Sequence, residues 1–243
     1  SHQQSALSPL TLVQLLTQTL AIYIGSFKLV IRIVFITQIP FLISLAVPDN
    51  DVVTLIFTLI GLFTGLLGSA AIAYIVAQYY LGRQTTLLRS YVAVMNNGIS
   101  LLVNALMFAV ALFVGVLLSL LVIGLPLLIF LAVAWFFYIQ AVVIEGKGPL
   151  DALTRSWHLV QGRWLQVFGT ALVFLLILFL AGLITSLPGL LVITFNTTLG
   201  NLLVTLGGIL VTPITYIGAT LVYFDLRVRK EGFTLQTLES ELR

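Results

Sequence analysis

Charged residues in this chain are confined to short islands separated by long runs that carry no charge. Four such runs cover residues 33–48, 52–82, 90–144 and 164–224. A helix that crosses the hydrocarbon core of a membrane needs about 20 mostly apolar residues. Only 8% of the residues are charged, whereas soluble domains average about 25%, so a soluble globule would lack a charged surface. The pattern therefore predicts an integral membrane protein made of transmembrane helices.

The two longest runs each predict a pair of spans, because each is too long for a single crossing. The run 90–144 contains Gly124 and Pro126, and the run 164–224 contains the stretches SLPGLL and NTTLGN. Glycine, proline and asparagine favour a chain reversal at such points. The two shorter runs are each one span. The sequence therefore predicts six spans, at about 28–47, 53–80, 99–121, 125–144, 165–186 and 202–224.

Six crossings place all the basic residues on one side of the membrane. All eleven Lys and Arg residues then share that side, and the loops on the other side carry Asp49 and Asp51. The positive-inside rule assigns the basic side to the cytoplasm. We therefore expect a multi-pass membrane protein with both termini in the cytoplasm.

Segments with helical periodicity precede the first, third and fifth spans, at about 9–24, 85–97 and 149–161. In the last of these, Leu150, Leu153 and Trp157 share one face and polar residues occupy the other, as in a helix that lies in the membrane interface. The predicted fold is a single all-α membrane domain over 1–243. Its six transmembrane helices form three hairpins, each preceded by an interfacial amphipathic helix on the cytoplasmic side, and a cytoplasmic tail follows at 225–243.

Two stretches, "VVIEGKGPLDALTRSWHLVQGRWLQVFG" and "TLVYFDLRVRKEGF", are more particular than hydrophobicity requires. With "PLTLVQLLTQTLAIYIGSF" and "YYLGR", they resemble the bacterial family of glycerophosphoryl diester phosphodiesterase membrane domains over almost the whole chain. Members of that family are mostly six-span proteins that stand alone or are fused to a catalytic phosphodiesterase barrel. The resemblance implies the stand-alone form, which lacks the barrel, in the bacterial cytoplasmic (inner) membrane.

Catalytic chemistry is not indicated by the residues present. Such a phosphodiesterase needs histidines and a cluster of carboxylates that binds a divalent cation. This chain has two histidines, His2 and His158, and eight carboxylates spread over separate islands. We therefore expect no enzymatic activity, no metal, no cofactor and no nucleic-acid partner.

The basic side carries the candidate functional residues, which are arginines together with tryptophans that commonly anchor at the membrane–water interface. The predicted set is Arg89, Arg155, Trp157, Arg163, Trp164, Arg227 and Arg229. We also expect Asp225 to form an ion pair with Arg155 or Arg163, because an isolated carboxylate beside hydrocarbon is costly. An i, i+4 pair between Asp225 and Arg229 is the alternative.

Two functions fit these features. The first, which we favour, is a non-enzymatic membrane scaffold or accessory subunit whose basic face binds lipid headgroups, anionic ones above all, or a larger membrane protein complex. The second is a transporter or lipid-handling permease with a site between the hairpins. It requires Gln38, Asn104 and Gln140 to converge on a solvated cavity, although such polar residues commonly hydrogen-bond between helices.

Overall fold

The computed structural model describes residues 7–45, 47, 51–119 and 124–242, and these residues form eleven α-helices and no strands. Asp49 and residues 121–123, which directly precede Gly124 in the predicted turn, lie outside the described residues. The helices are α1 (Leu12–Gly25), α2 (Phe27–Ser44), α3 (Asp51–Tyr80), α4 (Leu87–Met95), α5 (Gly98–Ser119), α6 (Gly124–Ala134), α7 (Tyr138–Glu145), α8 (Pro149–Val160), α9 (Trp164–Val192), α10 (Thr197–Glu231) and α11 (Leu235–Glu241).

Six helical segments are long and apolar enough to cross a membrane, which confirms the predicted all-α fold and the number of such segments. They are α2, α3, most of α5, α9, α10 and the stretch Gly124–Glu145, which contains both α6 and α7. The last segment continues past its predicted end at residue 224 to Glu231, because the charged island supports a helix with i, i+4 ion pairs. It stops at Gly232, whose φ of +62° favours glycine.

The fourth apolar segment is interrupted between α6 and α7, and a side chain from α8 satisfies the interrupted backbone. The hydroxyl of Ser156 accepts a hydrogen bond from the Phe137 N–H at 3.0 Å and donates one to the Ala134 carbonyl at 2.8 Å. Ser156 and Phe137 are fully buried. A break in a helix at this depth requires such partners, since unpaired buried backbone groups are costly. Ser156 therefore ties α8 to this apolar segment.

Helix α1 lies along α10, whereas the sequence predicted a helix lying in the membrane interface at 9–24. The Leu10 N–H, just before α1, bonds Asp225, and the Tyr23 hydroxyl donates to the Leu210 carbonyl about four helical turns away along α10. Leu15 and Ile22 are buried on one side of α1, and the rest of the helix exposes both apolar and polar residues. The buried apolar side packs against the bundle, as expected for a helix with an apolar stripe.

The buried core is concentrated at the end of the bundle that carries the basic residues. The most continuous buried stretches are the last part of α3, α7, and residues 221–227 of α10. The opposite half of α3 exposes leucines such as Leu55 and Leu62, and α9 exposes most of its apolar residues. Consecutive long helices pack against each other in the pairs α2–α3, α5–α6 and α9–α10. The buried core therefore constrains the geometry of the basic end more than that of the opposite end.

Glycine permits the close approach of α9 and α10. A Cβ atom placed on Gly207 would lie 2.6 Å from the backbone carbonyl oxygen of Thr185. Backbone atoms cannot move away as a flexible side chain can, so a larger residue at this position would push the two helices apart. The neighbouring Gly208 has no such contact within the described part of the chain.

We predict that Gly207→Ala destabilises the protein by roughly 1–3 kcal/mol through this steric clash. Gly208→Ala is the matched control, and we expect it to be neutral or slightly stabilising because alanine favours a helix over glycine by about 1 kcal/mol. Unfolding in mixed detergent–SDS micelles, followed by circular dichroism, measures both. Equal effects of the two substitutions would show that Gly207 does not control the packing of these helices.

Candidate functional site: the basic end of the bundle

Arg227, on the last turns of α10, is a buried cation surrounded by carboxylates. Its side chain is only 4% exposed. Two of its nitrogens bond the carboxylate of Glu241 at 2.7 Å each, and it also faces Glu145 at 3.6 Å and Glu231 at 3.4 Å. Its guanidinium carbon lies 3.8 Å from the ring centroid of Phe233, which is a cation–π contact. Arg227 therefore clamps α11 against α10.

Arg155, on α8, joins the same group of charges from the other side. Its Nε donates to both oxygens of Glu145, at 2.9 and 2.8 Å, and its two terminal nitrogens bond Glu231. The hydroxyl of Tyr223 donates to Glu145 as well. We call Glu145, Arg155, Tyr223, Arg227, Glu231 and Glu241 the ion-pair cluster. It connects α7, α8, α10 and α11.

The electrostatics of the ion-pair cluster keep its arginines charged. Hydrogen bonds to Glu231, with the nearby charge of Glu145, hold the pKa of Arg155 above its ordinary value although burial opposes this. Three carboxylates face two guanidinium groups in the cluster, so each cation is neutralised locally. Arg155 and Arg227, which the sequence predicted to contact lipid headgroups, are committed to these internal ion pairs.

A second clamp on α10 holds the segment before α1. Asp225, 3% exposed, accepts a hydrogen bond from the Leu10 N–H at 2.7 Å and from Nε of Arg229 at 2.8 Å. Arg229 in turn donates to the Leu10 carbonyl at 2.7 Å. The backbone of Leu10 is thus held on both its polar groups, and Arg229 is also engaged inside the protein.

The structure corrects the predicted ion pair between Asp225 and Arg155 or Arg163. Asp225 pairs with Arg229, and Arg155 pairs with Glu145 and Glu231. Successive residues of an α-helix are rotated by about 100°, so residues four apart share a face and residues two apart lie on opposite faces. Asp225 and Arg229 therefore face α1, while Tyr223, Arg227 and Glu231 face α7 and α8.

A separate group of cations and aromatic rings lies at the turn between α8 and α9. Nζ of Lys230 donates to the backbone carbonyls of His158 and Gln161, at the end of α8. Arg163 lies two residues after Gln161. Among the described residues, its side chain bonds only the neutral side chain of Gln166, at 3.0 Å. An open groove of about 620 Å³ is lined by residues 162–166. We call this region the α8–α9 corner.

The aromatic residues of the α8–α9 corner form one aromatic stack of three rings, with Trp157 packed edge-on against its Phe130 end. The ring of Phe130 packs between Trp157 and Trp164, with centroid distances of 5.3 and 6.1 Å, and Trp164 stacks on Phe168 at 5.0 Å. Trp157 is 37% exposed. The predicted residues Trp157, Arg163 and Trp164 are thus brought together here, whereas Arg89 lies apart on the exposed side of α4.

The three residues of the predicted polar cavity are not linked to one another. Asn104 and Gln140 are buried, Gln38 is half-buried, and no hydrogen bond joins any two of them within the described residues. Asn104 instead donates to the Ser100 carbonyl of its own helix at 2.8 Å. Neither the groove of the α8–α9 corner nor a cavity of about 40 Å³ beside Asp225 is lined by them. In the described ranges, no group of three or more His, Asp or Glu side chains could hold a metal ion.

Sequence reasoning missed the carboxylates that complete the ion-pair cluster. Glu145 and Glu231 stand at the ends of charge islands, and Glu241 belongs to the tail. The only local signal was the i, i+4 spacing of Arg227 and Glu231. The other pairs join residues on different helices, 10 positions apart for Glu145 and Arg155 and 76 for Arg155 and Glu231, so helical spacing carries no information about them. Lys230 was missed at the α8–α9 corner for the same reason.

A family model described as "Domain of unknown function (DUF7847)" matches residues 6–226 of the chain. No curated protein and no solved structure matches it. The matched range contains Glu145, Arg155 and the turn between α8 and α9. It provides no link to glycerophosphoryl diester phosphodiesterase membrane domains, so that resemblance stays a prediction.

We predict that Arg227→Gln lowers the free energy of unfolding by about 3 kcal/mol or more, because it leaves buried carboxylates without their cation. The matched control is Arg83→Gln, which removes the exposed ion pair between Arg83 and Glu239 of α11, whose side chains are 46% and 38% exposed. We expect that change to cost at most about 1 kcal/mol. SDS titration in mixed micelles measures both variants, and similar losses would contradict a specific role for the buried pair.

Proposed function

Because the chain belongs to the family described as domain of unknown function DUF7847, we propose its function from geometry: a non-enzymatic membrane scaffold or accessory subunit. Its basic, tryptophan-containing end holds anionic lipid headgroups and so fixes the position of the bundle for a partner membrane complex. The observation that carries this proposal is the division of the cations into an internal set and an exposed set at one end of the bundle.

The internal set comprises three arginines that lie within the bundle and pair with carboxylates there. Arg155, Arg227 and Arg229 each bond a carboxylate and connect helices. The exposed set includes Arg89, Lys230 and the half-buried Arg163, none of which forms an ion pair with a carboxylate among the described residues. Unpaired cations beside an apolar bundle are suited to the phosphate groups of a membrane surface.

Helix α4 supports placement of this end at a membrane surface. Leu88, Val92 and Met95 are exposed along one side, at 72%, 51% and 69%, and the exposed Arg89 is adjacent to them. Its other side, with Val94, is buried against the bundle. An exposed apolar stripe with a neighbouring cation is the arrangement of a helix that inserts shallowly between headgroups. We propose this role for α4, and a similar one for α8 through Trp157.

The hairpin arrangement and the orientation belong to the same proposal. The packed pairs α2–α3, α5–α6 and α9–α10 are three transmembrane hairpins. The positive-inside rule places the basic end, with both termini, in the cytoplasm of a bacterial inner membrane. The absence of a catalytic role is supported by the engagement of Glu145, Glu231 and Glu241 with arginines, which leaves them poorly suited to act as bases.

We predict that anionic lipid stabilises the protein. Phosphatidylglycerol added to the detergent-solubilised protein should raise the midpoint of thermal unfolding, since a ligand that binds only the folded state stabilises it in proportion to ln(1 + [L]/Kd). Phosphatidylcholine at the same concentration is the control. The rise should shrink in 1 M NaCl, because salt screens exposed charges. An equal rise with both lipids would contradict the proposal.

Orientation can be tested with single cysteines, because the natural chain contains none. Gln161→Cys lies at the basic end, and Thr197→Cys lies at the start of α10; both positions are exposed. In intact bacterial cells, a membrane-impermeant maleimide should label the variant at 197 and leave the one at 161 unlabelled until the membrane is opened. The reverse pattern would contradict a cytoplasmic basic end.

A further inference from the structure

The α8–α9 corner holds two cations, Lys230 and Arg163, neither of which forms an ion pair with a carboxylate among the described residues. The ammonium group of Lys230 bonds the carbonyls of His158 and Gln161. Gln161 is two residues before Arg163, so both cations belong to the same turn. Glu231 is the next residue of α10, but both of its oxygens bond Arg155. Like charges held together in this way are most stable when an anion lies between them.

Both cations retain hydrogen-bonding capacity for such an anion. The ammonium group of Lys230 has three N–H bonds, of which two point to carbonyls. Arg163 has five N–H bonds, of which one reaches Gln166. The open groove lined by Arg163 and Trp164, about 620 Å³ in volume, is large enough for a phosphate group and its substituents. Helix α9 also begins here without a side-chain cap, and its first N–H groups add to the positive potential.

The aromatic stack indicates which kind of anion fits. Trp157, Phe130, Trp164 and Phe168 continue from the cations along the apolar start of α9 and the adjoining α6. Tryptophan is favoured at the headgroup level of a membrane. A ligand that places its phosphate against Arg163 and Lys230 can therefore lay an acyl chain along these rings. A soluble phosphate would use the cations alone.

We infer that the α8–α9 corner is a discrete binding site for one anionic phospholipid, with its phosphate held between Arg163 and Lys230 and an acyl chain against Trp164 and Phe168. This inference rests on the proposed headgroup-binding function and assigns it to one place. A zwitterionic lipid binds less tightly, because its own ammonium group is repelled by the same cations. Arg89 and Lys147 contribute only to general attraction, since among the described residues neither side chain bonds the turn between α8 and α9 as Lys230 does.

The test is native mass spectrometry of the full chain, released from micelles that contain phosphatidylglycerol or phosphatidylcholine. The double variant Arg163→Gln/Lys230→Gln should bind the first phosphatidylglycerol at least tenfold more weakly than the natural chain. Arg89→Gln/Lys147→Gln removes the same charge outside the groove and should change that affinity less than threefold. Because Lys230 also bonds backbone carbonyls, Arg163→Gln alone provides a variant that leaves those bonds intact, and it should weaken binding in the same direction.

The outcomes separate this site from the broader function. If both double variants weaken phosphatidylglycerol binding equally, the discrete site is wrong while headgroup binding by the basic end stands. If the natural chain binds phosphatidylcholine as tightly as phosphatidylglycerol, both proposals are wrong. Soluble glycerol phosphate in excess should leave the bound lipid in place, and its displacement of the lipid would overturn the assignment to a phospholipid.

Discussion

The burial of Arg227 is the interaction on which the basic end depends. A guanidinium group inside an apolar bundle is tolerable only when anions and hydrogen-bond acceptors surround it, and Glu145, Glu231 and Glu241 do so from three different helices. Because a buried cation must have these partners, the ends of α7, α10 and α11 have little freedom to move relative to one another. Arg155 on α8 also pairs with Glu145 and Glu231, so α8 is held to the same group of helices.

Helix α10 organises this end because its two faces carry different sets of charges. One face, with Tyr223, Arg227 and Glu231, bonds the end of the fourth apolar segment, α8 and the C-terminal helix α11. The other face, with Asp225 and Arg229, bonds the backbone before α1. A single rigid helix thus fixes the beginning, middle and end of the chain. In the sequence, the charged residues 225–231 resemble a cluster that merely ends a transmembrane span. In the structure, they connect segments that are distant in the chain.

The pairing of the internal arginines leaves other cations of the basic end without a carboxylate partner among the described residues. Arginines near the core are neutralised by carboxylates, so the positive potential of this end comes from the residues left outside the ion-pair cluster, such as Arg163 and Lys230. Their position next to four packed aromatic rings combines charge and apolar surface over a short distance. That combination suits an amphipathic ligand better than a soluble ion.

The sequence by itself determined the all-helical class, the six apolar segments and the gathering of basic residues, because these follow from local composition and from the length needed to cross a membrane. It also placed Trp157, Arg163 and Trp164 within a larger set of candidate residues on the basic side. Only the tertiary structure decided which arginines are internal, that Asp225 pairs with Arg229, and that α1 lies along α10. Those outcomes depend on the rotation of each helix about its axis and on contacts between residues far apart in the chain, which the spacing of residues along one segment does not encode.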